Sequence, residues 1–497
     1  MVPPESTNRK LGLQDLVEDV LILILTECDV ADAVALSATS KFLHNLAFTT
    51  TVWYHLVTKL AHRGFIDSGP DDGFLKDLST NQLIDLVKRT LRGPRSWSET
   101  YLEPSATEKT IRRAANLFRR FVRKPPLQPP LQFPLASVPL VESRRIILHP
   151  EITGLGILYW QNKSILLPGG KFVLFNNAGR LECWSVFEDR FVWKHNPSVD
   201  NASVLEFSAE LVEDDQAVIL TCQRTWAPSR KNFVEIWTLD LKTGASNLEL
   251  VSRVPDSNSY SPYNDCALCG EIAAVFMLSD DVLLINWRTN SRVMVLDDRS
   301  PITITLVPGY LVLSMPDSRT GSEYRLAVSP YGSITSWEPN DAQEEPSTRI
   351  TVANFSVDGR DSIALPGYIT RRCLWASESP LQRGRFKVWL QVNHSTTLRS
   401  YEFVKQDTGT GVSWRFLSSI LMPDNFDHPK GITFSGHVLG SCTSHFGLEV
   451  FPPVPANKNS PRRTVDSLTR SDYVYLSPFS GTLTYSTEKE LVVVYYD

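Results

Sequence analysis

With 497 residues, 42% of them hydrophobic, and a net charge of −5, the chain is long enough for two or three domains with sizeable cores. No apolar run approaches the ~18 residues that cross a bilayer, and the opening MVPPESTNRK lacks the apolar stretch of a secretory signal, so a membrane role is not expected. Seven scattered cysteines, an odd number, fit reduced thiols better than a disulfide framework, and a cytoplasmic or nuclear location follows as the expectation.

The first segment reads as helical. Asp15, with Glu18 three residues on, has the form of a capping box, and Val17, Val20, Leu21, Ile24 and Leu25 then recur at helical period. Asp29 or Asp32 suits the start of a second short helix carrying Val34 and Leu36. Ser40 suits the start of a third with Phe42, Leu43, Leu46 and Ala47, and Trp53 closes the unit. A unit of ~40 residues buries too little surface to stand alone, so its apolar residues need the rest of the chain or another protein.

These residues resemble an F-box, the motif by which substrate receptors attach to a Skp-type adaptor of a cullin-RING ubiquitin ligase. The resemblance spans 11–60 and rests on Leu16-Val17-Glu18-Asp19-Val20, Ile24-Leu25, Leu36-Ser37, Lys41-Phe42-Leu43, Leu46 and Trp53. The family usually carries proline where Val17 stands; valine keeps the apolar contact but not the preset angle of a first helical turn. The resemblance implies that Leu16, Val17, Val20, Ile24, Leu25, Leu36 and Trp53 divide between the motif's own core and the adaptor contact. The alternative is that all of them pack inside a larger helical domain.

Further along, 79–91 places Leu83, Leu86, Val87 and Leu91 on one helical face and stops at Gly93-Pro94. Residues 88–124 carry eleven basic side chains against three acidic ones, and KTIRRAANLFRRFVRK suits a basic amphipathic helix; without a recognition motif, nucleic acid is not the expected partner. Six prolines between 125 and 139 exclude both helix and central strand and read as a semi-rigid linker. The expected organisation is therefore an F-box unit at 1–60, a helical extension at 61–124, a linker at 125–139 and a β domain at 140–497.

From about residue 140 short apolar runs alternate with turn residues, as in an all-β fold. Trp184, Trp237, Trp287 and Trp337 stand 53, 50 and 50 apart, and Tyr401, Phe451 and Tyr485 continue the series. A period near fifty points to the blades of a β-propeller, in which an aromatic at a similar position fills each inter-blade core. The region resembles the WD-repeat class, without its Gly-His and Trp-Asp pairs, and seven blades are expected. A two-sheet sandwich competes, but ~350 residues are long for one. The last run, ELVVVYYD, suits a strand that closes the ring by joining the blade that begins near 140–170.

Motifs for catalysis are missing: there is no Gly-x-Ser-x-Gly, no phosphate-binding glycine loop and no His-Glu-x-x-His. Cys266 and Cys269 are three apart in a strand-like run, which sends them to opposite faces and suits core thiols rather than a metal pair. His428, His437 and His445 lack a metal-ligand spacing, so no catalytic residue, cofactor or metal is implied. The fold class is α+β multidomain: a small helical head followed by a propeller. By resemblance to fungal F-box proteins with β-rich C-terminal halves, the chain is a non-catalytic substrate receptor, bound through the adaptor to a cullin-RING ligase and holding an unspecified target. Candidate target-reading loops are 224–232, 316–322, 338–347, 377–385 and 455–470, with Arg230, Lys231, Arg462 and Arg463 suited to an acidic or phosphorylated peptide. A non-degradative scaffold, or a propeller enzyme or lectin with carboxylates or aromatics around the central channel, are the other classes that the sequence leaves open.

Overall fold

The computed structural model describes Leu13, residues 16–97 and residues 137–497 apart from short internal stretches, of which 153–162 and 454–461 are the longest. The basic run after Trp97 and nearly all of the proline-rich stretch lie outside the described residues.

Five helices form the head: α1 (Glu18–Glu27), α2 (Val30–Ser37), α3 (Lys41–Ala47), α4 (Thr50–His62) and α5 (Thr80–Arg92). Ser40 caps α3 as expected, its hydroxyl accepting from Leu43 N–H at 3.2 Å. The start of α1 differs from the capping box expected at Asp15 and Glu18. Val17 occupies the N-cap position without a side-chain bond, Glu18 is the first helical residue, and Asp15 lies outside the described residues. Trp53 does not close a three-helix unit but sits inside the 13-residue α4. Ser79 and Gln82 form the capping box of α5, and Gly93 ends it at φ +78°. Leu21, Leu25, Leu43, Leu46, Trp53, Leu56, Leu83 and Val87 share one core, so α5 packs with the first four helices.

The rest of the described chain forms seven sheets, here numbered in chain order: one (164–194), two (202–254), three (263–296), four (303–365), five (369–421), six (426–469) and seven (474–496). Each is built on antiparallel neighbours in sequence order, the pattern of successive hairpins. Apolar clusters join one to two, two to three, and so on to six and seven; a further cluster joins seven back to one. The sheets therefore follow one another in a closed, propeller-like ring, each burying its faces against both neighbours.

The aromatic series marks these junctions. Trp184, Trp237, Trp287, Trp337, Tyr401, Phe451 and Tyr485 fall in seven different inter-sheet clusters, one at each junction. Their strand positions are less regular than their spacing suggests. Trp184, Trp237, Tyr401 and Phe451 lie in third strands and Trp287 just beyond one, whereas Trp337 leads into Glu338–Pro339, which pairs with sheet three, and Tyr485 lies in a second strand. Inter-sheet volume, rather than strand order, sets where a large ring is needed.

The last strand, Leu491–Tyr496, pairs antiparallel with Glu142–Leu148, with Leu148 opposite Leu491. Both strands belong to sheet seven, whose outermost strand comes from the N-terminal side, while the sheet beginning at Ser164 is its neighbour. Just before, Ser137–Pro139 adds parallel to Arg462, Arg463 and Thr464 on sheet six.

One buried carboxylate of the ring is fully paired. Glu235, fully buried in sheet two, would be pushed up by burial, but donors from His195, Ser198 and Trp237 hold its carboxyl at about 2. Cys266 faces sheet two and Cys269 faces sheet four, on opposite sides of one strand, and burial pushes both thiols up. A chain ending after Lys489 loses the third strand of sheet seven and with it the bond between the two ends of the ring. It is expected to lose a single cooperative melt in calorimetry and to expand in small-angle scattering; a melt and radius like those of the full chain would contradict closure by this pair.

Candidate functional site

The head exposes an apolar face. Fifteen large apolar side chains are exposed among the described residues, and seven of them fall between Leu13 and Phe42, which concentrates the feature on α1 to α3. Val17 is 67% exposed and Leu23 63%, with Leu16, Val20, Val34 and Phe42 between 36% and 47%. Of the other F-box-like positions, Leu25 and Trp53 lie in the head's core, Leu36 is half-buried against it, and Ile24 is half-buried. The α1 apolar residues thus split: Leu21 and Leu25 face inward and Val17, Val20 and Leu23 face out. Sequence reading assigned no contact to Leu23. The signal was there in the unbroken run Val20-Leu21-Ile22-Leu23-Ile24-Leu25, since a helix apolar on every side needs cover on more than one.

The opposite side of the head is seated on the ring. Asp29 makes no cap bond to α2; its Oδ2 instead accepts from Arg383 N–H at 2.9 Å, while Ala31 N–H donates to Leu381 O at 3.0 Å. Arg63 pairs with Glu378 at 2.9 Å, with both side chains about one-fifth exposed. Phe65 meets Phe479 edge-on at 4.6 Å, and Thr482 Oγ1 donates to Asp67 Oδ2 at 2.9 Å. Gly64, at φ +74°, lies so close to Pro168 that a Cβ there would collide with it. These partners come from the turns between the first and second strands of sheets five, seven and one.

The deepest anchor is Trp97. It is fully buried in the cluster that joins sheets six and seven, with Tyr496 and His437 each 5.5 Å from its ring. Around it Ser96 N–H donates to Asp497 O, Arg463 Nη1 donates to Ser96 O, and Arg89 pairs with the Asp497 carboxylate. Burial, with the charges of Arg463 and Lys387, pushes the His437 imidazole down to about 4.

This seating corrects two of the expected target-reading features. Loop 377–385 is spent on the head, and Arg463 is buried beneath Ser96, so neither is free to read a peptide. Loop 338–347 is anchored while 341–345 stay exposed: Asn340 Nδ2 donates to Val251 O at 2.8 Å, Arg292 Nη1 donates to Asp341 O at 2.9 Å, and donors from Ser347 and Thr348, acting against burial, hold Glu338 at about 2. The Arg462 side chain and most of 316–322 lie outside the described residues, as does 455–461. Loop 224–232, with Arg230 and Lys231, joins the second and third strands of sheet two and so points away from the head.

Near the centre of the ring, Lys163 Nζ pairs with Glu206 at 2.7 Å and approaches Asp265 at 3.9 Å, with the rings of Phe207 and Tyr473 within 6 Å. Burial opposes the ammonium charge, but Glu206, Tyr473 and Asp265 outweigh it and raise its pKa well above the ordinary value. These carboxylates are thereby engaged in joining sheets one, two and three. Among the described residues no group of three or more metal-ligating side chains converges.

No protein-family model matches the chain, and no curated protein matches it. Solved structures similar to it include the WD40 domain of SCAP from fission yeast, at 10% identity and a TM-score of 0.35 over 66% of this chain and 82% of that one. Others are a chain of the mitotic checkpoint complex (10%, 0.38, 75% and 100%) and BamB from Moraxella catarrhalis (10%, 0.34, 72% and 100%). TM-scores this low carry no argument about function.

Trp97→Ala is expected to cost about 3–5 kcal/mol in chemical denaturation, the usual range for emptying a fully buried indole site, and to speed hydrogen exchange in α5. A cost below about 1 kcal/mol would show that the head is held elsewhere. His437 gives a pH test. Its folded pKa lies below its unfolded one, so stability is full above about pH 6.5 and falls toward pH 4 as the unfolded chain takes up the proton, by roughly 3 kcal/mol at most. His437→Gln is expected to flatten denaturation midpoints over this window relative to the unaltered chain.

Proposed function

We propose that the chain is a substrate receptor of a cullin-RING ubiquitin ligase, with the helical head docking a Skp-type adaptor and a seven-bladed propeller holding the target protein. The observation that carries this reading is the exposed apolar face of α1 to α3 on a head whose core and ring-facing side are already filled. Water-exposed Val17, Leu23 and Phe42 raise the free energy of the isolated chain, and a partner's apolar surface removes that cost. Leu16, Val17, Val20, Leu23, Val34 and Phe42 form the adaptor contact, Ile24 and Leu36 back it, and Leu25 and Trp53 shape the core behind it.

The chain supplies proximity and no catalytic group. Holding a target lysine near a charged ubiquitin-conjugating enzyme raises its effective concentration, and the seated head keeps that distance short and defined. The target meets the ring on the side away from the head, where turns between second and third strands gather. The reading places the protein in the cytoplasm or nucleus, with no membrane or nucleic-acid partner.

Co-purification with a Skp-type adaptor tests it. Val17→Glu with Leu23→Glu, both at highly exposed positions, is expected to leave the melting curve within about 0.5 kcal/mol of the parent while abolishing stoichiometric adaptor binding. Trp53→Ala, by contrast, removes a buried ring and is expected to cost about 3–5 kcal/mol in the head itself. Absence of adaptor binding by the folded parent chain would overturn the reading. Adaptor binding without accumulation of ubiquitinated partners under proteasome inhibition would assign a scaffold role instead.

A further inference from the structure

Residues 109–124, KTIRRAANLFRRFVRK, hold seven lysines and arginines and no acidic residue. At 100° per residue, Ile111, Ala115, Leu117, Phe118, Phe121 and Val122 fall within one arc and all seven cations within the other. The spacing predicts a helix with one apolar and one cationic side, which a surface both apolar and acidic would match. Taken from a net charge of −5, the segment's seven charges leave −12 on the rest of the chain.

The outer face of α1 and α2 is such a surface. Between Leu16 and Ser40 there are five acidic residues and no basic one. Along α1 the exposed positions Leu16, Val20, Leu23 and Glu27 follow at steps of three or four, with Asp19 one turn before Leu23. Glu27 pairs with Lys59 at 2.8 Å, but Glu18, Asp19 and Asp32 are exposed and have neither ion-pair nor hydrogen-bond partner among the described residues. Exposed apolar and acidic groups are thus interleaved on these two helices.

The connections are long enough for the two to meet. Arg463 Nη1 donates to Ser96 O, and Val138 stands opposite Arg463, so the chain leaves the head and joins the ring at one place. Eleven residues separate Trp97 from Lys109 and twelve separate Lys124 from Ser137. Extended, they span up to about 36–40 Å, whereas a head of this size is roughly 30 Å across.

We propose that residues 109–124 dock on the exposed face of α1 and α2 of their own chain, with the apolar side against Val17, Val20 and Leu23 and the arginines beside Glu18, Asp19 and Asp32. The segment then occupies the surface assigned above to the adaptor, and the adaptor must displace it. Connections of this length hold the segment at an effective concentration in the millimolar range, so a contact of about 10–100 µM between separate molecules is largely made within one. Raised salt weakens the ionic half of the contact and spares the apolar half. As regulation of the adaptor contact the proposal rests on that reading, but the docking itself is tested without an adaptor.

The test uses a fluorescein-labelled peptide of residues 109–124 and two forms of the full chain, one unaltered and one carrying Arg112→Glu, Arg113→Glu, Arg119→Glu and Arg120→Glu. Saturable binding to the charge-reversed chain is expected, with a Kd on the order of 10–100 µM, and binding to the unaltered chain at least about tenfold weaker, because its own segment holds the face. Val17→Glu with Leu23→Glu in the charge-reversed chain is expected to abolish binding, as is scrambling the peptide so that cations and apolar residues mix on every side. On the unaltered chain, carbodiimide coupling at low salt is expected to join Lys109 or Lys124 to Glu18, Asp19 or Asp32 within single chains, a result that depends on no variant's folding. Equal binding by the two chains, equal binding of the scrambled peptide, or coupling only between separate copies would overturn the proposal. A chain that binds the peptide as expected but no adaptor would sustain the docking and overturn only the adaptor reading.

Discussion

The antiparallel pairing of Glu142–Leu148 with Leu491–Tyr496 is the constraint on which the rest of the molecule depends. It joins strands nearly 350 residues apart, so its loop-closure entropy is offset only once all seven sheets are stacked between them. Once made, it covers the outer side of Leu491–Tyr496 and fixes Tyr496 and Asp497 as a floor for the head. Trp97, Ser96 and Arg89 then bind that floor, so closure of the ring and seating of the head are energetically one event.

The head is consequently a docked element as well as a tethered one. Asp29, Ala31, Arg63, Phe65 and Asp67 each find partners on the ring, and α5 shares the core of α1 to α4. The proline-rich stretch therefore need not set the distance between head and ring, because buried contacts on either side of it do. The half-buried Arg63–Glu378 pair gives orientation more than stability, while the indole of Trp97 gives the larger share of free energy.

Much of this was legible. Ser40, the 79–91 helix with its glycine stop, and the near-fifty-residue aromatic period are local or repetitive signals, and each corresponds to a feature of the structure. The aromatic residues mark the seven junctions because every junction needs a large ring of about the same volume. Capping at Asp15 and Glu18, the three-helix limit, and the availability of loop 377–385 were misjudged. Each depends on what a segment meets far away in sequence: Asp29 has the composition of a helix cap, yet its carboxylate is taken by Arg383, more than 350 residues later.

What the sequence determined by itself was the division into a helical head and a repetitive β region, because periodicity of 3.6, of 2 and of about fifty is written in neighbouring side chains. Tertiary structure alone decided which of the head's apolar residues remain in water and which turns the head occupies. Helical period places Leu21 and Leu23 on different faces of α1 but does not say which face the ring and the other helices will cover. Burial is a property of contacts closed across hundreds of residues, and no local pattern of polarity specifies them.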